Sequence, residues 1–122
     1  MISEKLQEVL AHEGAMAIAT NGEEFPHIVN TWHSYVIVGE DAILVPVGGM
    51  TTFEKLLEAN SKVSVTVGSK EVEGNFGMGA GFFIIADASF ELDTPEHEVL
   101  KTTYPWCRAV LKLKVLETHQ TV

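Results

Sequence analysis

The chain has 122 residues, 46% of them hydrophobic, which suits one globular domain (1–122) burying about two-thirds of the surface its unfolded form exposes. A formal charge of −9, with eight Lys and Arg residues and no dense cluster of them, argues against DNA or RNA as a partner. Apolar runs such as Ala42 to Val47 fall far short of the roughly 20 residues of a membrane helix, no basic-then-apolar leader opens the chain, and the single Cys107 can close no intrachain disulfide, so a cytoplasmic protein without membrane spans is expected.

In chain order, Ser3 to Glu13 has the spacing of an amphipathic helix with Leu6, Val9 and Leu10 on one face, stopped by Gly14. Ala15 to Thr20 reads as a strand closed by the Asn21-Gly22 turn signal. His27 to Val38 alternates as one long strand, with Ile28, Asn30, Trp32, Ser34, Val36 and Val38 sharing a face. After the turn at Gly39 to Asp41, Ala42 to Val47 returns as a strand and ends on Gly48-Gly49. Thr52 to Asn60 is a short helix, and Thr51 and Glu54 have the spacing of a capping box.

The Val45 to Glu54 junction has two readings. Gly48 and Gly49 can take positive φ and bring backbone N–H groups to a phosphate, or the junction is simply a well-capped helix with no ligand. Lys62 to Gly68 and Phe82 to Leu92 alternate as half-buried strands, and the glycine-rich stretch Gly74 to Gly81 between them reads as a mobile loop. Gly77-Met78-Gly79-Ala80-Gly81 is no dinucleotide fingerprint, because it precedes a strand instead of opening a helix. Thr94 caps a helix with Pro95 at its first position, Pro105 ends it, and Arg108 to Glu117 is the final strand. The class expected is all-β: a six-stranded antiparallel barrel with three short connecting helices, closed because closure removes exposed edges.

Histidines at 12, 27, 33, 97 and 119 show no metal-ligand spacing, and Cys107, Ser34 and Ser89 lack a nucleophile's context, so neither a metal nor a catalytic residue is assigned. Trp32 and Trp106 are core residues unless a ligand lies beside them.

Three stretches, His27-Ile28-Val29-Asn30-Thr31-Trp32-His33-Ser34-Tyr35, Val45-Pro46-Val47-Gly48-Gly49-Met50 and Val67-Gly68-Ser69, resemble the FMN-binding split-barrel superfamily, in its pyridoxamine-phosphate-oxidase-like group. The resemblance runs through nearly the whole chain, including Gly79 to Phe82, Trp106 and Thr118 to Val122. It implies a six-stranded split barrel, a homodimer, and one FMN per subunit near the subunit boundary. By that resemblance Asn30, Thr31 and Trp32 line the flavin and its phosphate side. Val45, Pro46 and Val47 offer backbone groups to the ring edge, and Gly48, Gly49, Thr51 and Thr52 cradle the phosphate. Trp106 packs near the flavin, and Val122 reaches a partner's flavin. Family members often carry a lysine or arginine just after Gly-Gly-Met. Thr51 and Thr52 stand there in this chain, which leaves Lys55 or Lys70 to neutralise the phosphate. The function implied is a low-potential electron carrier working with a redox partner protein or small electron donor. The alternatives are an NAD(P)H-dependent oxidoreductase of flavin or a small substrate, and a non-redox flavin-binding or storage module.

Overall fold

Alternating β-branched and aromatic residues cannot hide one face of a strand alone, and here they do so by joining a single curled sheet around one core. The computed structural model describes residues 2–122. Its strands are β1 (Ala15–Thr20), β2 (His27–Trp32), β3 (Ile37–Val38), β4 (Ala42–Val47), β5 (Lys62–Gly74), β6 (Gly77–Glu91) and β7 (Ala109–Gln120). They form a seven-stranded sheet in the order β2-β1-β5-β6-β7-β4-β3, every pair antiparallel. Of the three helices, α1 (Glu4–Ala11) precedes the sheet, while α2 (Thr51–Leu56) connects β4 to β5 and α3 (Pro95–Thr103) connects β6 to β7, so two helices, not three, stand at the connections. Seven strands stand where six were expected, in a curled half-barrel.

The seventh strand arises because the stretch from His27 to Val38 does not run straight. It breaks at a single 3-10 turn, His33–Tyr35, leaving a two-residue strand beyond it. Polar groups from the end of α1 impose the break. The His33 ring is buried, and its Nδ1–H donates to the carbonyls of His12 (2.8 Å) and Val9 (3.2 Å). The Glu13 carboxylate accepts from the Ser34 hydroxyl (2.6 Å) and from the backbone N–H groups of Ser34 (3.2 Å) and Gly14 (3.1 Å). Periodicity cannot register this, since these bonds come from residues about twenty positions away.

The glycine-rich stretch also departs from expectation: it is the β5–β6 hairpin, not a mobile loop. Gly74 pairs with Gly77 across the two-residue turn Asn75-Phe76. A side chain on Gly74 would collide with the Gly79 carbonyl, so this glycine serves close approach of backbones rather than looseness. The last strand, β7, carries a bulge. Ile85 pairs with Glu117 and Ala86 with Val115, so Leu116 is unpaired. Before it Ala109, Leu111, Leu113 and Val115 face the core. After it the half-buried positions are Thr118 and Gln120.

A curled sheet leaves a seam between its ends, and α2 crosses that seam. Phe53 projects from α2 with no exposed surface, its ring 6.2 Å from the His27 ring of β2 and 6.3 Å from Phe90 of β6. The core it joins includes Leu6, Met16, Ile18, Ile43, Ile84 and Leu113. Among the described residues no helix is long and apolar enough to cross a membrane.

Replacing Phe53 by Ala removes this plug and leaves a cavity, at an expected cost of about 3–5 kcal/mol of unfolding free energy, measurable by urea titration. A second expectation concerns acid. The Ser34 hydroxyl, the largest influence, holds the Glu13 carboxyl below its ordinary range, aided by the backbone N–H groups of Gly14 and Ser34. A carboxylate with a lowered folded-state pKa stabilises fully above its ordinary value, and that contribution disappears as pH falls through the lowered one. Glu13→Gln should therefore be less stable than the parent near neutral pH, and the difference should shrink as the medium is acidified through the carboxylate range.

Candidate functional site

The residues singled out in the sequence fall on the edge strand β2, on β4 and the turn that leads into α2, on the segment before β7 and at the chain end. On the edge strand β2, Asn30 and Trp32 are exposed, with Trp32 at 50%, while Thr31 points inward and is buried. On β4 the side chains of Val45, Pro46 and Val47 are all buried, so only their backbone can meet a ligand. That backbone is accessible on one edge: β3 pairs with β4 only at Ile43 and Leu44, and beyond Leu44 the outer edge of β4 has no strand partner among the described residues.

Gly48 and Gly49 carry the chain from β4 into α2, but neither adopts positive φ. The left-handed residue is Met50, with φ 58°, at the N-cap position. The capping box expected between Thr51 and Glu54 is accordingly absent. Met50 makes no side-chain cap, Thr51 is already helical, and Glu54 pairs instead with Arg108 (Oε1 to Nη2, 2.9 Å). Gly48 instead packs closely on Trp106: a Cβ there would lie 3.0 Å from its Cε3, tight enough to push the ring aside by a few tenths of an ångström. Gly49 has open space where a Cβ would stand. Thr51 and Thr52, both exposed, line a concavity with Lys55, Leu56, Glu23 and Glu58. Lys55 is therefore the lysine beside the two threonines. Lys70 lines another concavity with Ser69, Phe76, Met78 and Val122.

Trp106 is 47% exposed, and its ring neighbours are Tyr104 at 5.3 Å and Tyr35 at 5.9 Å. The two tyrosine rings lie 4.9 Å apart, and the Tyr104 hydroxyl donates to the Ser34 carbonyl at 3.3 Å. This aromatic cluster joins the 3-10 turn to the segment 104–108. Val122 does not join it. The chain end lies along the β5–β6 hairpin, where the Thr121 N–H donates to the Gly81 carbonyl (2.9 Å) and a Cβ on Gly81 would meet Val122.

Two residues that sequence reasoning missed organise the site. Arg108 stands at the start of the expected last strand, and its Nε and Nη2 both donate to the Gly49 carbonyl (3.0 and 2.7 Å) while its guanidinium lies over the Phe90 ring. Its being the only arginine in a chain with seven lysines is the signal that could have marked it, since a planar fork does what an ammonium cannot. His97 is buried. Its Nδ1 accepts from the Asp93 N–H (3.0 Å), which leaves Nε2 as the donor to the Cys107 carbonyl (2.9 Å). Both ring nitrogens are thus committed, and the segment holding Trp106 and Arg108 is tied to the start of α3.

The chemistry of this region suits a flat, partly apolar ligand with an anionic end. It offers half-exposed indole rings and a free strand edge on one hand, and an open glycine, two hydroxyls and an ammonium group on the other. No protein-family model matches the chain. The FMN-binding protein of Nitratidesulfovibrio vulgaris (strain DSM 19637 / Miyazaki F) is 44% identical over 116 residues, 94% of each chain. Among solved structures, Group A Streptococcus HupZ superposes with a TM-score of 0.75 at 13% identity, covering 98% of this chain and 94% of that one. An FMN-binding protein from Syntrophomonas wolfei subsp. wolfei superposes with a TM-score of 0.70 at 17% identity, covering 98% of this chain and 85% of that one. Those two likenesses concern the fold; the first, at 44% identity along almost the full length of both chains, establishes kinship. The chain belongs to the FMN-binding split-barrel, pyridoxamine-phosphate-oxidase-like family.

Proposed function

We propose that this protein is an FMN-binding flavoprotein that carries electrons at low potential. The observation that carries the reading is the 44% identity, over 94% of both chains, to a protein named for binding FMN. The exposed tryptophans and the open Gly49 turn are compatible with it. FMN, when bound, supplies the redox chemistry in its ring. The residues of this chain then bind, orient and exclude water. Asn30 and Trp32 line the ring, with Thr31 beneath them supporting the strand. Val45, Pro46 and Val47 present backbone groups, and Gly48, Gly49, Thr51 and Thr52 receive the phosphate with Lys55 beside them. Trp106 lies near the flavin from its place against Gly48. A net charge of −9 disfavours adding negative charge to the ring and lowers its potential.

We further propose a homodimer. One curled half-barrel has little surface to enclose a flavin by itself, and Phe76 at 88% exposure, with Met78 and Val122, forms an apolar area around the hairpin tip that a second copy would cover. In such an assembly Val122 reaches the partner's flavin. The electrons pass to or from a partner protein or small donor.

Acid treatment of the purified protein should release FMN, identified by chromatography; recovery of no flavin, even after incubation with excess FMN, defeats the reading. Small donors should reduce the flavin readily and NADH slowly. Saturable NADH oxidation at roughly the 1 to 1,000 per second of ordinary enzymes would make the protein an oxidoreductase instead. Thr52→Lys adds an ammonium beside Thr51, and a charge-assisted contact is worth about 1.5 to 3 kcal/mol. Fluorescence titration of the apoprotein should then show FMN bound roughly ten- to a hundredfold tighter with riboflavin unchanged. Trp32→Phe should restore part of a flavin emission that the parent quenches.

A further inference from the structure

We infer that Arg108 is a positioning residue whose grip on the Gly49 carbonyl shapes the Gly48–Met50 turn for the flavin phosphate, and that its charge plays no direct part in binding. The inference rests on the FMN-binding reading above.

The argument begins with peptide planes. A trans peptide points its N–H opposite its C=O, and this chain has no cis peptide among the described residues. The Arg108 backbone N–H donates to the Val47 carbonyl at 2.8 Å, which turns the Gly48 N–H away from the 106–108 segment. The Arg108 side chain donates twice to the Gly49 carbonyl, which turns the Met50 N–H away likewise. One residue thus fixes alternate peptides of the turn so that their N–H groups face outward together, the arrangement that favours an anion. The grip also holds Met50 at φ 58°, a conformation that costs a non-glycine residue energy and persists only where its surroundings impose it.

The guanidinium itself is occupied. Nη2 is shared between the Gly49 carbonyl and the Glu54 carboxylate, and the plane lies 5.8 Å from the centroid of Phe90. Trp106, two residues earlier, abuts Gly48. His97 fixes Cys107 between them, so the grip is anchored in the interior. A lysine could keep the charge here. It could not send two coplanar N–H groups to one carbonyl while also meeting Glu54.

The test uses the full-length apoprotein and two ligands differing only in the phosphate, FMN and riboflavin. The parent should bind FMN. Arg108→Lys and Arg108→Gln should each weaken FMN by about tenfold or more and riboflavin by less than about threefold, because the turn meets only the phosphate. Glu54→Gln decides the sign. It frees the arginine's charge while loosening its orientation, so FMN should bind more weakly than to the parent. It also carries the test should both Arg108 variants fail to fold. FMN affinity retained in Arg108→Lys, equal losses for FMN and riboflavin, or Glu54→Gln binding FMN as well as or better than the parent would each overturn the inference while leaving the FMN reading intact. A parent that binds no flavin defeats that reading and the inference with it.

Discussion

Everything at this site depends on how the helix after β4 is held against β2, and Phe53 is the side chain that holds it. A seven-stranded antiparallel sheet with β2 at one end and β3 and β4 at the other must either expose its edges or curl until something bridges them. The bridge is a helix only six residues long, too short to be stable alone, so its position comes from burying Phe53 between His27 and Phe90. Thr51 and Thr52 begin that same helix. The contact that seals the core therefore also sets where two of the proposed phosphate ligands stand.

A second layer of order works from the other side of the turn. Residues 104–108 run from α3 into β7, and nearly every group in that stretch has a fixed partner. Tyr104 and Trp106 pack with Tyr35, the Cys107 N–H donates to the Tyr104 carbonyl, and the Cys107 carbonyl accepts from His97. The cost of ordering the Gly48–Met50 turn is thereby met by buried polar bonds and aromatic contacts outside it. That leaves the turn itself free of side chains that would obstruct a ligand.

Local signals carried much of this fold. Thr94 and Pro95 do start a helix, with the Thr94 hydroxyl accepting from the His97 N–H, and the alternation from Lys62 to Gly68 does bury Val63, Val65 and Val67 on one face of β5. What the sequence did not disclose is non-local. His33 and Ser34 sit in a run with strand composition, yet are bonded to the end of α1, and this splits one expected strand into two. Gly48 and Gly49 suggested a left-handed turn, but a guanidinium contributed from 59 positions away places that conformation on Met50. The glycines at 74 and 81 looked like slack, whereas they are spacers against backbone and the chain end. The proposed site residues come from resemblance, residue by residue, and not from any local pattern. Their supports, Arg108 and His97, belong to no local pattern either.

The unpaired Leu116 bears on which changes the last strand can tolerate. Up to Val115 the odd-numbered side chains of β7 face the core; past the bulge the even-numbered ones do, and Gln120 lies opposite Phe82. The tail is thus read in a shifted phase, and Val122 inherits that phase. Substitutions at Leu116 preserve it, whereas losing or gaining a single residue between Val115 and Thr118 would rotate every following side chain to the opposite face. For this part of the molecule, spacing constrains descent more tightly than residue identity does.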